Sequence, residues 1–415
     1  CFLLHDRPIH MRCDDSVLLA AAGGPFPLRR SRGYVPGPVS LRREFPPVLA
    51  VGGHLKNTVC LTRGREAFLS QHVGDLDSPE TMRFFRLTVE QLARLLEVEP
   101  VLVAHDLHPD YLSTRWAVES SGLPAVAVQH HHAHVVACMA EHGLSGPVLG
   151  ISMDGTGYGG DGTVWGGEFL VADEESFERA AHLPYWPLPG GEAAVREPWR
   201  MARSVFGGVM GAGRLDSLGL GLWEHVGRKK VELIDRMVER KLNCPLSSGC
   251  GRLFDAVAAL VGLRAFTLYE GQPAMELESL AMRANTRKMP VYPFEAAGQV
   301  PGSGPLVPDL GPMLEAVARD VAAGADPALV ALGFHHCLAR VITELGGLLA
   351  AHRGLNRAVL TGGVFNNRRL LEKVAAGLRR KGLKVYSHRR VPPGDGGISL
   401  GQAVIAASQR FKQGS

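Results

Sequence analysis

The chain has 415 residues, 46% apolar and 21% charged, with a formal net charge of +4. That length exceeds one ordinary core and points to two lobes, and the composition is that of a globular protein. So mild a charge gives no reason to expect nucleic acid or an acidic membrane surface as a partner.

The longest apolar stretch, around Pro327 to Ala351, is interrupted by His335, His336, Arg340 and Glu344. No segment is therefore expected to span a bilayer. The cysteines (Cys1, Cys13, Cys60, Cys138, Cys244, Cys250 and Cys337) are odd in number, scattered and never spaced as CxxC. This argues against a disulfide scaffold or zinc knuckle and for a reducing cytosol.

Residues 1–46 are basic and Pro/Gly-rich, with Arg29, Arg30 and Arg32. The opening, CFLLHDRPIHMRCDD, carries charges too early for a signal peptide and no initiator Met. It reads as a fragment that starts within a domain. From Pro47, apolar β-branched runs alternate with helical patterns, which favours an α/β fold. PPVLAVGGHLKNTVCL predicts a strand from Val48, a turn at Gly52–Gly53 and a return strand from Thr58. GPVLGISMDGTGYGGDGTVWGGEFLV repeats that plan about 100 residues later, which suggests two similar lobes facing each other.

VQHHHAHVVACMAEH is the sharpest local feature. On a helix, His130 and His134 stand at i and i+4 and share one face. Two imidazoles so placed can bind one divalent metal, with a carboxylate from elsewhere completing the site. His131 and His132 point elsewhere, toward ligand or solvent. The competing reading is a helix start that merely tolerates histidine. His335, His336 and Cys337 form a second cluster, but adjacent helical residues face different ways.

DGTGYGGDGT, from Asp154, follows a strand and lacks both the strand–GxGxxG–helix context and a Walker ending. It resembles a phosphate-gripping hairpin: Gly155 admits close backbone approach, Thr156 adds a hydroxyl, and Asp154 can hold a metal-bound phosphate or water. A plain tight turn is the alternative. LTGGVFNNRRL places Gly362 and Gly363 where a flat ligand can approach, and Asn366 or Asn367 can bond a ribose or adenine edge. Asp395 sits between glycines before a helix, where an ordinary N-cap is the simpler reading. PLPGGEAAVREPWRMA supplies Gly190 and Gly191, with Arg196 and Arg200 as phosphate partners or as surface ion pairs.

HHHAH, DGTGYG, LPGGEAAVREPWRMA, SSGCGRLFDAVAALVG, YEGQPAMELE, LTGGVFNN and PPGDGGISLGQA occur in this order. Together they resemble the C-terminal domain of the HypF carbamoyltransferases, which is itself similar to TsaD-type and TobZ-type enzymes. The resemblance implies an α/β, two-lobed actin/sugar-kinase/heat-shock-ATPase-like (TsaD-like) fold with nucleotide in the interlobe cleft. Residues 47–149 would be the first lobe, 150–410 the second and 411–415 a tail. Residues 1–46 resemble the end of a YrdC-like domain.

The implied activity is carbamoyl transfer from carbamoyl-adenylate to the C-terminal cysteine of HypE, on the route to the cyanide ligands of [NiFe]-hydrogenase. By motif, His130 and His134 look like metal ligands, with Asp395 and Asp154 completing a site for Fe, Zn, Mn or Mg. Gly155, Thr156, Gly190, Gly191, Gly362, Gly363 and Asn366 resemble a cradle for ATP, AMP or carbamoyl-adenylate. Asp255 and Glu276 are implied ribose or adenine contacts. His131 or His132 would accept the proton of the partner thiol. Two rivals are a sugar or acetate kinase on the same superfold, and a docking module that only holds nucleotide for HypE.

Overall fold

A computed structural model of the chain describes residues 3–21, 23–296 and 304–411. Residues 297–303, and all but the first residue of the tail expected over 411–415, lie outside these. The chain opens with a hairpin, β1 (Val17–Ala21) and β2 (Gly24–Arg29), set apart from the two large sheets.

The first large sheet contains β3 (Val39–Phe45), β4 (Val48–Ala50), β5 (Cys60–Leu69), β6 (Leu102–Asp106) and β7 (Ala125–Val128), in the order β3-β5-β4-β6-β7. Between β5 and β6 runs α1 (Pro79–Leu96). Ser78 caps it by accepting from the Thr81 amide, and Pro79 pre-sets its first turn. Its buried residues, Phe84, Phe85, Thr88, Val89, Leu92 and Leu96, recur at helical spacing. α2 (Leu112–Glu119) follows β6, and α3 (His130–Glu141) follows β7.

The second sheet is built from β8 (Val148–Tyr158), β9 (Val164–Ala172), β10 (Phe177–His182), β11 (Trp186–Pro187) and β12 (Leu246–Ser247), joined later by β13 (Arg357–Thr361) and β14 (Lys384–Ser387). Between β11 and β12 lie α4 (Glu192–Arg196), α5 (Pro198–Met210), α6 (Ala212–Ser217), α7 (Gly221–Val226) and α8 (Arg228–Glu239). After β12 come α9 (Cys250–Leu260), α10 (Gln272–Met282), α11 (Gly311–Ala322) and α12 (Pro327–His352). α13 (Arg368–Arg380) joins β13 to β14, and α14 (Ile398–Arg410) ends the described chain.

The repeat expected from sequence is a topological one. In the first sheet β4 pairs β5 antiparallel and β6 parallel, and β6 then pairs β7 parallel. In the second, β8 pairs β9 antiparallel and β13 parallel, and β13 then pairs β14 parallel. Five layers result. α1 and α2 cover the outer face of the first sheet. α3 and α14 lie between the sheets, with Val135, Val136, Val404 and Ile405 packed among Val48, Val126, Val148 and Val359. The second sheet's other face is covered by α5, α9, α12 and α13 around Trp199, Phe254, Phe334 and Phe365.

Three expectations need amendment. The first sheet reaches back to β3, inside the segment assigned to 1–46, because Val39 and Ser40 pair with Ala67 and Glu66. α14, expected in the second lobe, packs on strands of the first sheet and on α3. β8 extends to Tyr158, with its register against β9 shifting between Met153 and Gly157, and the turn follows at Gly159–Thr163, where the Gly159 amide bonds the Thr163 carbonyl.

α12 does have the length and composition to cross a membrane, contrary to the sequence expectation, but most of its apolar window is buried in the second lobe. It is the helix around which that core is built. Cys13, Cys60, Cys138, Cys244, Cys250 and Cys337 are all free thiols.

Candidate metal and nucleotide site

The site forms where α3 leaves β7. Gln129 caps the helix by accepting from the His132 amide at 2.8 Å. This fixes the first turn, and all four histidines are buried. The two at i and i+4 converge as expected: His130 Nε2 and His134 Nε2 are 3.2 Å apart. Asp154, on β8, brings Oδ2 to 3.0 Å from His134 Nε2. Asp395, just ahead of α14, brings Oδ1 to 3.6 Å from His130 Nε2 and 3.8 Å from His134 Nε2.

These four ligand atoms lie within 4.8 Å of one another. Ligands about 2.1 Å from a common ion would stand roughly 3.0–3.4 Å apart. The His–His and His–Asp154 spacings match that, and Asp395 lies slightly outside it. Asp154 Oδ2 is out of line for a hydrogen bond to His134 and has no other partner. A buried carboxylate oxygen with no donor, facing two imidazole nitrogens, fits a divalent cation.

A residue that the sequence did not single out orients the cluster. Asp106, at the end of β6, accepts from His130 Nδ1 at 2.7 Å. That turns His130 Nε2 toward the other ligands. Burial works against a charged His130, but Asp106 and Asp395 outweigh it and raise its pKa well above the usual imidazole value in the metal-free site. Burial also opposes ionisation of Asp154, yet His134 and His130 hold its carboxyl well below the usual range.

The other two histidines separate. His131 stays at the edge of the cluster, its ring 5.2 Å from that of His130. Burial and then His130 hold its pKa well below the usual value, and its Nε2 has no partner. His132 turns away and meets the Asp173 carbonyl at 2.7 Å, beside Phe177. It is removed from the expected catalytic role because the next position on a helix faces another direction.

Glycines let the backbones close around this cluster. A Cβ on Gly157 would lie 2.4 Å from His131 Cε1 and 2.9 Å from His130 Cδ2, so only glycine lets β8 pass over the imidazoles. Gly362, at φ +95°, has the Met153 carbonyl where a Cβ would stand, and the Gly363 side of the turn faces Asp154. Asp154 on β8 thus meets the Gly362–Gly363 and Asp395 turns at one place. Thr156 and Asn366 are exposed there or beside it. Asn367 is committed to structure: it caps α13 at the Leu370 amide and bonds His335 Nε2 at 2.9 Å. His335 is accordingly a core residue rather than a ligand.

Asp255 lies beneath the same strand. Arg252 Nη1 is 2.9 Å from its Oδ2, and burial, partly offset by Arg252, raises the Asp255 pKa to about 6. Arg252 reaches Gly155, and its Nε and Nη1 are buried without hydrogen-bond partners. With Nη1 held against Asp255, the Nε donor is the one left open, and it suits an anion. Arg252 lies in the SSGCGRLFD motif, where no local pattern marks it as a site residue.

Two expected contacts lie elsewhere. Glu276 is bound by Arg264, at 3.0 and 2.9 Å from the guanidinium Nε, and by Gln272. Glu270, at the turn before α10, pairs instead with Lys56 from the first lobe. Gly190 and Gly191 pack beside Arg200 and Asn243, and Arg200 pairs with Glu197 at 2.7 Å. For Arg200 the ion-pair reading is the one observed.

Two family models match the chain. "HypF Kae1-like domain" spans residues 43–141, and "Carbamoyltransferase, Kae1-like Domain, second subdomain" spans 150–402. The chain is 44% identical to "Carbamoyltransferase HypF2" of Cupriavidus necator, over 98% of this chain and 52% of that protein. It is 41% identical to a "Carbamoyltransferase HypF homolog" of the same organism, over 88% of this chain and 93% of that protein. The solved structure of a full-length HypF in its phosphate- and nucleotide-bound form superposes with a TM-score of 0.91 at 43% identity, covering 100% of this chain and 63% of that one. The chain thus spans about half the length of the first relative. The two-lobed actin/sugar-kinase/heat-shock-ATPase-like fold is the observed one, and the His–Asp cluster stands where parts of both matched regions meet. On these grounds the chain belongs to the HypF carbamoyltransferase family.

Proposed function

We propose that this chain carries out carbamoyl transfer from carbamoyl-adenylate to the C-terminal cysteine thiol of HypE, in the reducing cytosol, on the route to the cyanide ligands of [NiFe]-hydrogenase. The observation that carries the reading is the convergence of His130, His134, Asp154 and Asp395, from three separated stretches of chain, beside glycine turns and the Arg252 guanidinium. The nucleotide named for the solved relative supports an adenylate in the same cleft.

His130, His134, Asp154 and Asp395 would hold a divalent metal, which when bound supplies Lewis acidity toward phosphate and carbonyl oxygens. Beside the proton transfer from the thiol, the reaction forms one bond and breaks one. The thiolate sulfur attacks the carbamoyl carbon, the carbon–oxygen bond to the phosphate breaks, and AMP leaves. Arg252, whose guanidinium reaches Gly155, would receive charge on the departing phosphate. His131, neutral and with Nε2 unpaired, is the candidate acceptor for the thiol proton. Asp106 keeps His130 turned to its task.

The test supplies synthetic carbamoyl-adenylate and HypE to the wild type and to the His130→Ala/His134→Ala variant. The wild type is expected to release AMP and add a carbamoyl group to HypE. The variant should keep its fold, lose bound metal and lose transfer. Full transfer by the variant would refute the assignment. Nucleotide binding without any transfer by the wild type would favour a docking module.

A further inference from the structure

A second concave site lies in the other lobe. α10, α12 and α13 enclose a cavity of about 590 Å³, and none of the four clustered His and Asp residues lines it. Along α13, Arg369, Lys373, Ala376 and Arg380 stand at i, i+4, i+7 and i+11, on one face. Eleven residues at about 1.5 Å each make this row about 16 Å long. Arg340 and His336 face it from α12, one turn apart, and Met282 adds an apolar patch from α10.

The acidic lining residues are already engaged. Glu372 pairs with Arg368, Glu344 pairs with Lys381, and Glu278 accepts from the Arg369 amide. Lys373 and Arg380 have no ion-pair partner among the described residues. Two buried polar atoms in the same cavity, Arg369 Nε and His336 Nδ1, have no hydrogen-bond partner. A buried guanidinium N–H left open, as at Arg369, is uncommon. Like charges also crowd there: after burial, Arg369 and Arg380 are what lower the Lys373 pKa.

From this geometry we infer that the α10–α12–α13 groove receives an extended acidic peptide segment of a partner protein. A compact phosphate suits the groove less well. The natural phosphate seat, the N-terminus of α13, is filled: Glu278 takes the Arg369 amide and Asn367 takes the Leu370 amide. A nucleic-acid backbone would carry uniform charge past Glu278, Glu344 and Glu372. A peptide places carboxylates at intervals, which matches cations spaced along a helix face, and its aliphatic atoms can rest on Met282, Ala339 and Ala376.

Binding of a short labelled peptide of alternating glutamate and alanine, followed by fluorescence anisotropy, tests this directly. The whole chain is expected to bind it, more weakly as salt rises, and to ignore the same peptide with glutamine in place of glutamate. The Lys373→Glu/Arg380→Glu variant, with its fold checked by circular dichroism, should bind at least tenfold more weakly. Lys229→Glu on α8 should bind as the wild type does. The inference is overturned by equal binding in the double variant, by no preference over the glutamine peptide, by tighter binding of a single-stranded oligonucleotide, or by displacement at micromolar inorganic phosphate. Carbamoyl transfer is not read in this assay, so its outcome is separate from that of the cleft reaction.

Discussion

His130 Nδ1 and Asp106 Oδ2 lie 2.7 Å apart, both fully buried, and this contact joins the end of β6 to the first turn of α3. It settles which ring nitrogen faces the cluster. Asp106→Asn offers an amide in place of the carboxylate and weakens that preference. Metal affinity should fall by about 10–100-fold, with the fold retained. Metal content after dialysis against a graded chelator measures it; an unchanged affinity would show that His130 is oriented by packing alone.

Gly157→Ala tests the close passage of β8 over the histidines. The added methyl would sit 2.4 Å from His131 and 2.9 Å from His130, and both rings are buried. A loss of about 1–3 kcal/mol in stability is expected, as for overpacking elsewhere. Metal binding should weaken as well. Urea unfolding and a metal titration on one preparation read both effects.

Glu141, on the α3 helix that carries the histidines, accepts from the Arg389, Arg390 and Val391 amides and faces His388 Nδ1 at 3.1 Å. Its side chain is fully buried. This clasp ties the loop leading to Asp395 onto the helix that carries His130 and His134. Glu141→Ala strands three amides and should cost about 2–4 kcal/mol. It should also loosen Asp395 and lower metal affinity. A large drop in Tm with metal affinity intact would separate the fold's need for Glu141 from the site's.

Asp255 supplies a pH dependence of known sign. Its pKa rises on folding from the usual 3.8 to about 6, because burial outweighs Arg252. The folded state therefore holds the proton more tightly than the unfolded state. The stabilisation is complete below pH 4 and is lost as pH rises through about 6, by at most ~3 kcal/mol. Asp255→Asn should remove this slope. Tm measured from pH 4 to 7 for both proteins reads the difference; parallel curves would mean that Asp255 ionises as freely folded as unfolded.

How far each residue was legible follows from how local its signal is. The His130/His134 pair was readable because i, i+4 spacing on a helix fixes a shared face without any tertiary contact. The same periodicity dismissed His335–Cys337, and His335 does cap off a buried network with Asn367. As metal ligands Asp154 and Asp395 follow only from the resemblance, and the short motif that implies Glu276 also holds Glu270, the carboxylate that meets Lys56 of the first lobe. Nothing local says which carboxylate a turn will carry toward the cleft.

What the sequence determined by itself was the alternation of strands and helices, the repeated hairpin, the histidine face and the glycine turns, since these depend on side-chain periodicity and backbone permissiveness over a few residues. What only the tertiary structure decided was which distant groups meet. Asp106 stands behind His130, Arg252 lies under Gly155 and Glu141 holds the Asp395 loop because two sheets clamp α3 and α14 between them. Such pairings are set by strand order and layer packing, and those arise from burial of apolar surface across the whole chain.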